Sequence, residues 1–191
     1  MNIKDYIKQS IETKTKILEN ESTINEINNI ANVIIKAYKN GKKVLTAGNG
    51  GSAGDAQHIA GELVSKFFFD RPGLSAFSLA TDTSILTAIG NDYGYELSFA
   101  RQIQANAVQG DVFIGISTSG NSKNIIKAFQ EAKKKGVTCV ALVGNKPCEA
   151  DKICDHVIKV PSDSTPTIQE SHIMIGHVIC ALVEEAIFKK D

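Results

Sequence analysis

The chain has 191 residues, no tryptophan, four cysteines and four prolines, and it has no excess of either charge. Lysine plus arginine and aspartate plus glutamate number 21 each, so the formal net charge at pH 7 is zero. Proteins that bind nucleic acid through its phosphates carry a basic excess, which argues against a nucleic-acid partner. The apolar runs are far shorter than the roughly 20 residues that span a bilayer, so we expect no membrane partner.

The few cysteines indicate the redox compartment. None of them forms a C-x-x-C pair, and no apolar signal segment precedes Lys4 and Asp5. In a chain of this length, this pattern predicts reduced thiols in a cytoplasmic protein. The cysteines are Cys139, Cys148, Cys154 and Cys180.

Two amphipathic helices are predicted at the start of the chain, over residues 3–18 and 24–38, because isoleucines recur there at helical spacing. Thr23 and Glu26 have the spacing of a capping box, which predicts that they cap the start of the second helix. We expect that helix to end at Gly41. The apolar stripe of an N-terminal helix needs a partner, so we expect a homo-oligomer.

From residue 42 onward, short apolar runs alternate with helical stretches. Runs that are apolar throughout are typical of strands covered by helices on both faces, and the intervening helices suit parallel crossovers. We therefore predict an α/β fold, a three-layer αβα sandwich with a five-stranded parallel sheet, in one domain over residues 1–191. The predicted strands are 44–47, 75–79, 112–116, 137–143 and 157–160.

Two polar loops follow predicted strands and precede predicted helices, at residues 48–52 and 117–122. Ligands of open parallel sheets bind beyond the carboxyl ends of the strands, where loop amides and helix dipoles can hold a phosphate. Turn formation alone could explain one glycine loop, but three serines and a threonine in six residues exceed what a turn requires. Neither a G-x-G-x-x-G nor a P-loop motif occurs, which disfavours dinucleotides and nucleoside triphosphates. A sugar phosphate fits better.

His58 and Glu62 are four residues apart on the helix that follows the first loop, so they share a face and could converge on a metal or a substrate. The alternative is an exposed pair on a solvated helix. The helix's position beside the candidate anion site favours the functional interpretation.

The last helix is predicted over residues 167–188 and carries polar residues beside its apolar stripe. Gln169 and His177 are eight residues apart, or about 12 Å along an ideal helix, so joint binding of one ion would strain their reach. Either the helix start bends, or only one of them is a ligand, or their roles differ. For His172 we predict a structural role with a hydrogen-bond partner.

Four strings carry a family resemblance that spans essentially the whole chain. They resemble the phosphoheptose isomerases of the sugar isomerase (SIS) domain superfamily. The resemblance implies conversion of D-sedoheptulose 7-phosphate to D-glycero-D-manno-heptose 7-phosphate, the first step toward the ADP- or GDP-activated heptoses of bacterial surface glycans. It also implies a cytoplasmic homotetramer with one zinc ion per subunit, and residues 1–40 used in oligomerisation. The strings are AGNGGSAGDAQHIAGEL (47–63), TAIGNDYGYE (87–96), ISTSGNS (116–122) and IQESHIMIGHVIC (168–180).

The resemblance also implies roles for individual residues. Glu62 and His177 would be the acid/base pair. The zinc ligands would be His58, Glu62, Gln169 and His177. The substrate would contact Asn49, Gly50, Gly51, Ser52, Glu62, Asn91, Asp92, Ser117, Thr118, Ser119, Ser122 and Gln169. Of these, Ser117, Thr118, Ser119 and Ser122 would hold the phosphate.

Three alternatives remain open from the sequence. The chain could be a non-enzymatic SIS protein that binds the bacterial replication initiator, a phosphosugar sensor without turnover, or an isomerase of a pentose or hexose phosphate. If it is an isomerase, we predict an enediol(ate) route and a site shared with a neighbouring subunit, because the two helices that carry the acid/base pair must meet over the phosphate loop.

Overall fold

A computed structural model describes residues 2–189 and contains one sheet of five parallel strands in the order β2-β1-β3-β4-β5. The prediction of a five-stranded parallel sheet is confirmed, with small changes in strand bounds. The second strand is the shortest. The strands are β1 (Val44–Gly48), β2 (Ala76–Ser78), β3 (Val112–Ser117), β4 (Thr138–Gly144) and β5 (His156–Val160).

Eight helices and one 3-10 turn (Tyr95–Leu97) complete the described part of the chain. The outermost residues of the predicted domain, Met1, Lys190 and Asp191, lie outside the described residues. The helices are α1 (Ile3–Leu18), α2 (Glu21–Lys39), α3 (Gly51–Val64), α4 (Thr83–Tyr93), α5 (Ser98–Asn106), α6 (Lys123–Lys134), α7 (Ala150–Ile153) and α8 (Thr165–Phe188).

Alternate residues of the central strands enter two separate cores, as the period of two in a strand requires. Val112 and Ile114 pack with α2, α3 and α8, whereas Phe113 packs with α5 and α6 on the other face. The three layers of the predicted αβα sandwich are therefore present. The sheet is covered on both faces, which explains why its strands read as continuous apolar runs.

The predicted capping box at the start of α2 is wrong. The helix begins at Glu21, and the side chain of Asn20 accepts a hydrogen bond from the Thr23 amide at 3.2 Å. Asparagine is among the best N-cap residues, so it takes this role three residues before the predicted cap. Glu26 instead lies 2.9 Å from Nδ1 of His156 at the start of β5. Gly41 follows the C-cap with φ +67°, as expected for the residue that ends α2.

The first helix leaves most of its apolar stripe uncovered by its own chain. Only Thr13 and Ile17 of α1 are buried. Ile3 and Leu18 are 74% and 71% exposed, and Ile7 and Ile11 are also exposed. A contiguous apolar face of this kind on a globular protein is typical of an interaction surface.

The last helix, α8, is long and apolar enough to cross a membrane by length and composition, which the sequence analysis did not anticipate. Its position explains the composition without a membrane, because it packs against α2, α3 and β4. Ile175, Ile179 and Val183 lie in the core. A helix buried on more than one side carries apolar residues around most of its circumference.

Candidate active site

The two helices that carry the predicted acid/base pair, α3 and α8, run side by side. A Cβ on Gly51 would lie 2.7 Å from Nε2 of Gln169, and a Cβ on Gly176 would lie 2.7 Å from the side chain of Ile59. The contacts follow the same order along both helices, so the helices are parallel, and glycine permits their close approach. Their N-termini therefore lie together beyond the carboxyl ends of the strands.

Three predicted site residues meet about two helical turns beyond Gly51. Nε2 of His58 lies 2.9 Å from Oε1 of Glu62 and 3.2 Å from Nε2 of His177. One ligand atom from each residue lies within 4.8 Å of the others. The single hydrogen that His58 Nε2 can carry points to Glu62 or to His177 but not to both. A carboxylate oxygen and two imidazole nitrogens thus lie close enough together to share a proton or to bind one cation.

Gln169 lies at the other end of the α3–α8 contact. Its amide packs against Gly51, seven residues before His58 on α3. Among the described residues it makes no hydrogen bond to His58, Glu62 or His177. The structure therefore separates Gln169 from the His58–Glu62–His177 cluster within one chain, in agreement with the strain expected from the spacing of residues 169 and 177. Its role as a metal ligand stays a prediction.

Two residues near the cluster were not assigned a role from the sequence. The Phe67 ring lies 5.6 Å from the His177 ring, centroid to centroid. Asp55, on α3 between Gly51 and His58, has a buried Oδ2 with no hydrogen-bond partner. Burial raises the pKa of Asp55 to about 6, and the nearby His58 opposes that rise. The DAQH string contained this aspartate, and its helical position one turn before His58 was the available signal.

His172 is the structural histidine that the sequence predicts. It is fully buried, and its Nε2 donates a hydrogen bond to the Val143 carbonyl at 3.2 Å. Burial lowers the pKa of His172 to about 4, although the bond to Val143 acts in the opposite direction. The imidazole is therefore neutral at pH 7 and attaches α8 to the end of β4.

The predicted phosphate loop brings its hydroxyl groups together. Oγ of Ser117 lies 3.0 Å from Oγ of Ser122 and 3.4 Å from Oγ of Ser119. Ser122 is the N-cap residue of α6, yet its side chain makes no capping bond. Several donors thus face one place at the positive end of a helix dipole, as expected for an anion site. Thr118 and Ser119 also line a cavity of about 300 Å³ with Lys146 and Asp163.

The two polar loops are joined by a pair of side-chain amides. Asn49 donates to Oδ1 of Asn124 at 2.9 Å, and Asn124 donates to Oδ1 of Asn49 at 2.8 Å. Tyr95 donates its hydroxyl hydrogen to Asn49 at 2.9 Å. Asn124, which is buried on α6, and Tyr95 were not identified from the sequence as site residues. Gly50, with φ +55°, and Gly51 follow Asn49, and Ser52 is buried in the same turn.

Among the described residues, Asn91 and Asp92 make no hydrogen bond to the other predicted substrate ligands. They are exposed on α4 and hydrogen-bond to each other at 2.8 Å. The helix α4 buries none of its own residues. A larger cleft of about 620 Å³ at the opposite edge of the sheet, beside Lys36 and Lys42, contains none of the predicted site residues.

Comparisons with known proteins agree with the motifs. The family model of the SIS domain matches residues 5–144. A phosphoheptose isomerase of Aneurinibacillus thermoaerophilus is 62% identical over 187 residues, covering 98% of this chain and 94% of that protein. Phosphoheptose isomerase 2 of Campylobacter jejuni is 60% identical, covering 99% and 96%. The structure of a phosphoheptose isomerase from Francisella tularensis has a TM-score of 0.91 at 34% identity and covers 96% of each chain.

Proposed function

We infer that this chain, which belongs to the phosphoheptose isomerase family of SIS-domain proteins, converts D-sedoheptulose 7-phosphate to D-glycero-D-manno-heptose 7-phosphate. The chain is an isomerase, and its reaction moves a carbonyl group between C2 and C1 of a sugar phosphate. The observation that supports this function best is the convergence of Glu62, His58 and His177 on α3 and α8, the two helices whose N-termini lie at the end of the sheet that carries the two polar loops.

The reaction needs a group that removes a proton from C1 and a group that delivers a proton to oxygen or carbon at the neighbouring position. Glu62 and His177 both approach Nε2 of His58, so a carboxylate and an imidazole can act on adjacent atoms of one substrate. In our proposal Glu62 removes the C1 proton to give an enediol(ate) and, after exchange with solvent, delivers a proton at C2. His177 moves the hydroxyl proton.

The remaining predicted residues bind the substrate. Ser117, Ser119 and Ser122 hold the phosphate with hydroxyl groups at the start of α6. Asn49 and the adjacent glycines face the sugar, and the side-chain amide of Gln169, which packs against Gly51, lies next to them. These groups fix the position of the carbonyl end relative to Glu62 and His177, and such positioning lowers the entropic part of the barrier.

The cluster also fits a zinc ion. Two imidazole nitrogens and a carboxylate oxygen are ligands that zinc accepts, and tetrahedral bonds of about 2.0–2.1 Å place ligand atoms about 3.3 Å apart. The two separations from His58 Nε2, 2.9 and 3.2 Å, are close to this value, and the third, between Glu62 and His177, is within 4.8 Å. We therefore propose one zinc per subunit held by His58, Glu62 and His177, with Gln169 as the further candidate. When bound, zinc would polarise the substrate carbonyl. Because a ligating carboxylate is a weaker base, Glu62 would have to bind the zinc loosely or transiently in order to remove the C1 proton.

We also propose that the enzyme is a cytoplasmic homotetramer whose sites are shared between subunits. The uncovered stripe of α1 supports an interface. The helix α4, which carries Asn91 and Asp92 and buries none of its residues, supports a second one that brings these two side chains to a neighbouring site. Sedimentation analysis of Ile7→Lys together with Ile11→Lys tests this part. A smaller, inactive species is expected, whereas a monomer with full turnover would contradict the shared site.

The function is tested by incubating the purified protein with sedoheptulose 7-phosphate in deuterated water, with and without a chelator, and following the product by NMR. Wild type should form the heptose 7-phosphate with deuterium at C1 or C2. Glu62→Gln should lower kcat by about 10²- to 10⁴-fold. Glu131→Gln on the surface of α6 is the matched control. Saturable binding of the sugar phosphate without turnover would instead indicate a sensor.

A further inference from the structure

A buried ion pair lies next to the His58–Glu62–His177 cluster and is bonded to the backbone of Glu62. The side chains of Arg71 and Glu184 are 2% and 1% exposed, and Nε of Arg71 lies 2.9 Å from Oε1 of Glu184. A buried ion pair is weak evidence for a stabilising role, because desolvation of both charges offsets their attraction. The contacts of this pair therefore need a different explanation.

The arginine holds the end of α3, the helix that carries His58 and Glu62. Its Nη2 donates to the carbonyl of Glu62 at 2.8 Å, and its Nη1 donates to the carbonyl of Leu63 at 2.7 Å. The last carbonyl groups of a helix have no partner within the helix, so Arg71 supplies a cap from outside it. The backbone of Glu62 is thereby attached directly to the guanidinium.

The glutamate holds the segment that follows α3. Oε1 of Glu184 accepts from the Phe67 amide at 2.8 Å, and Oε2 accepts from the Phe68 amide at 2.7 Å. Burial raises the pKa of Glu184, but the two amides and Arg71 outweigh it and hold the pKa below its usual value. The carboxylate is therefore ionised at neutral pH and fixes Phe67, whose ring packs against His177.

Glu184 follows His177 by seven residues, close to two turns of α8, so the two side chains lie on the same face of that helix. One end of the ion pair is thus attached to the helix of His177, and the other end to the backbone of Glu62. We propose that Arg71 and Glu184 are positioning residues, which set the distance between Glu62 and His177 and hold the His177 ring through Phe67. The proposal rests on the proposed function for its kinetic readout only.

The chain contains a matched control for this pair directly before β3. Asp111 is fully buried, accepts from the amides of Lys43 and Val108, and pairs with Nζ of Lys43 at 2.7 Å. It therefore resembles Glu184 in burial and in its contacts, which are two backbone amides and one cationic side chain, but it touches no residue of the cluster. Loss of either carboxylate should destabilise the fold by a similar mechanism, and only loss of Glu184 should disturb the cluster.

The experiment compares Arg71→Lys, Glu184→Gln and Asp111→Asn, with kcat and KM normalised to folded protein. Lysine keeps the charge but cannot reach several acceptors in a fixed fork. We expect the first two variants to lose kcat about 10- to 100-fold, as for partners that orient ligating groups, with KM within twofold. Asp111→Asn should lower the melting temperature and leave kcat unchanged. Equal normalised kcat values in all three variants and wild type would overturn the proposal.

A variant that keeps the ion pair covers the case in which these proteins fail to fold. Phe67→Leu removes the ring from His177 and retains an apolar side chain. We expect the imidazole NMR signals of His177 to shift, the affinity for added Zn²⁺ to fall, and kcat to fall at least threefold. Unchanged Zn²⁺ affinity would contradict the proposal, because loss of the Phe67 ring current alone is enough to shift the His177 signals. Because this readout needs no substrate, it separates failure of the proposal from a failure of the proposed function, which would appear as wild type without turnover.

Discussion

The two sides of α8 use the same residue type in opposite ways. His172 faces the sheet, is fully buried and donates to the Val143 carbonyl. His177 faces α3, is partly exposed and lies 3.2 Å from His58. Five residues turn an ideal helix by about 140°, which is enough to move a side chain from the core to the site. The comparison shows that environment, rather than residue type or motif membership, decides what each histidine does.

The largest effect should come from the α3 side. His177→Gln removes the imidazole that we propose moves the hydroxyl proton, so kcat should fall about 10²- to 10⁴-fold. Thermal unfolding should change little, because His177 is partly exposed and its ring packs mainly on Phe67 and His58. Steady-state kinetics and a melting curve on the same preparation check both statements. Retained turnover with a much lower melting temperature would assign His177 to the structural class and break the contrast.

The converse substitution tests the sheet side. His172→Leu leaves the buried Val143 carbonyl without its donor, so the free energy of unfolding should fall by about 2 kcal/mol. Urea denaturation measures this loss. The kcat of the protein that remains folded should stay close to that of wild type. A kcat loss like that of His177→Gln, without a loss of stability, would show that His172 takes part in the reaction.

The pH dependence of stability sharpens the same contrast. The pKa of folded His172 is about 4, below its ordinary value of 6.5, so the unfolded chain binds more protons between these pH values. The stabilisation from keeping His172 neutral is therefore complete above pH 6.5 and is lost as the pH falls toward 4, by about 3 kcal/mol in all. Because the raised pKa of Asp55 acts in the opposite direction, the loss should appear in urea denaturation at pH 7, 5.5 and 4.5 as a decrease in the stability of wild type relative to His172→Leu. His172→Leu should remove this part of the pH dependence of the free energy of unfolding. A variant whose stability depends on pH as strongly as that of wild type would contradict the assignment of the loss to His172.

The smallest effect is expected at the N-terminal end of the α3–α8 contact, where Gly51 meets Gln169. Gly51→Ala places a methyl group where the Gln169 amide now lies, so the amide must move and KM should rise severalfold with a smaller change in kcat. Gly54→Ala is the matched control, because it lies in the same helix and nothing lies within 4 Å of its Cβ position. Initial rates over a range of substrate concentrations separate the two constants. Equal KM values in both variants would show that Gln169 does not contact the substrate.

Much of the fold could be predicted because its signals are local. Apolar runs identified the five strands, and the polar loops after β1 and β3 indicated the carboxyl end of the sheet as the candidate ligand-binding end. The capping box failed for a local reason as well, because Asn20 competes with Thr23 for the same role and the pattern alone did not rank them.

The site was predictable only in part. Helical spacing placed His58 with Glu62 and indicated that Gln169 and His177 occupy different levels of α8. It gave no indication of Asn124, which meets Asn49 across 75 residues of chain, or of Glu184, which meets Arg71 across 113. Such pairs are set by the packing of distant elements, and neither a motif nor a periodicity records them.

The reciprocal amide bonds between Asn49 and Asn124 have a consequence for how a ligand arrives. Each side chain uses its carbonyl and one N–H on the other, so the β1 loop and the first turn of α6 are clasped together. These bonds fix the relative placement of the two loops, which we propose as the sugar and phosphate subsites, in the folded protein before a ligand arrives. Little conformational freedom is then left for the ligand to remove, which favours affinity at a given number of contacts.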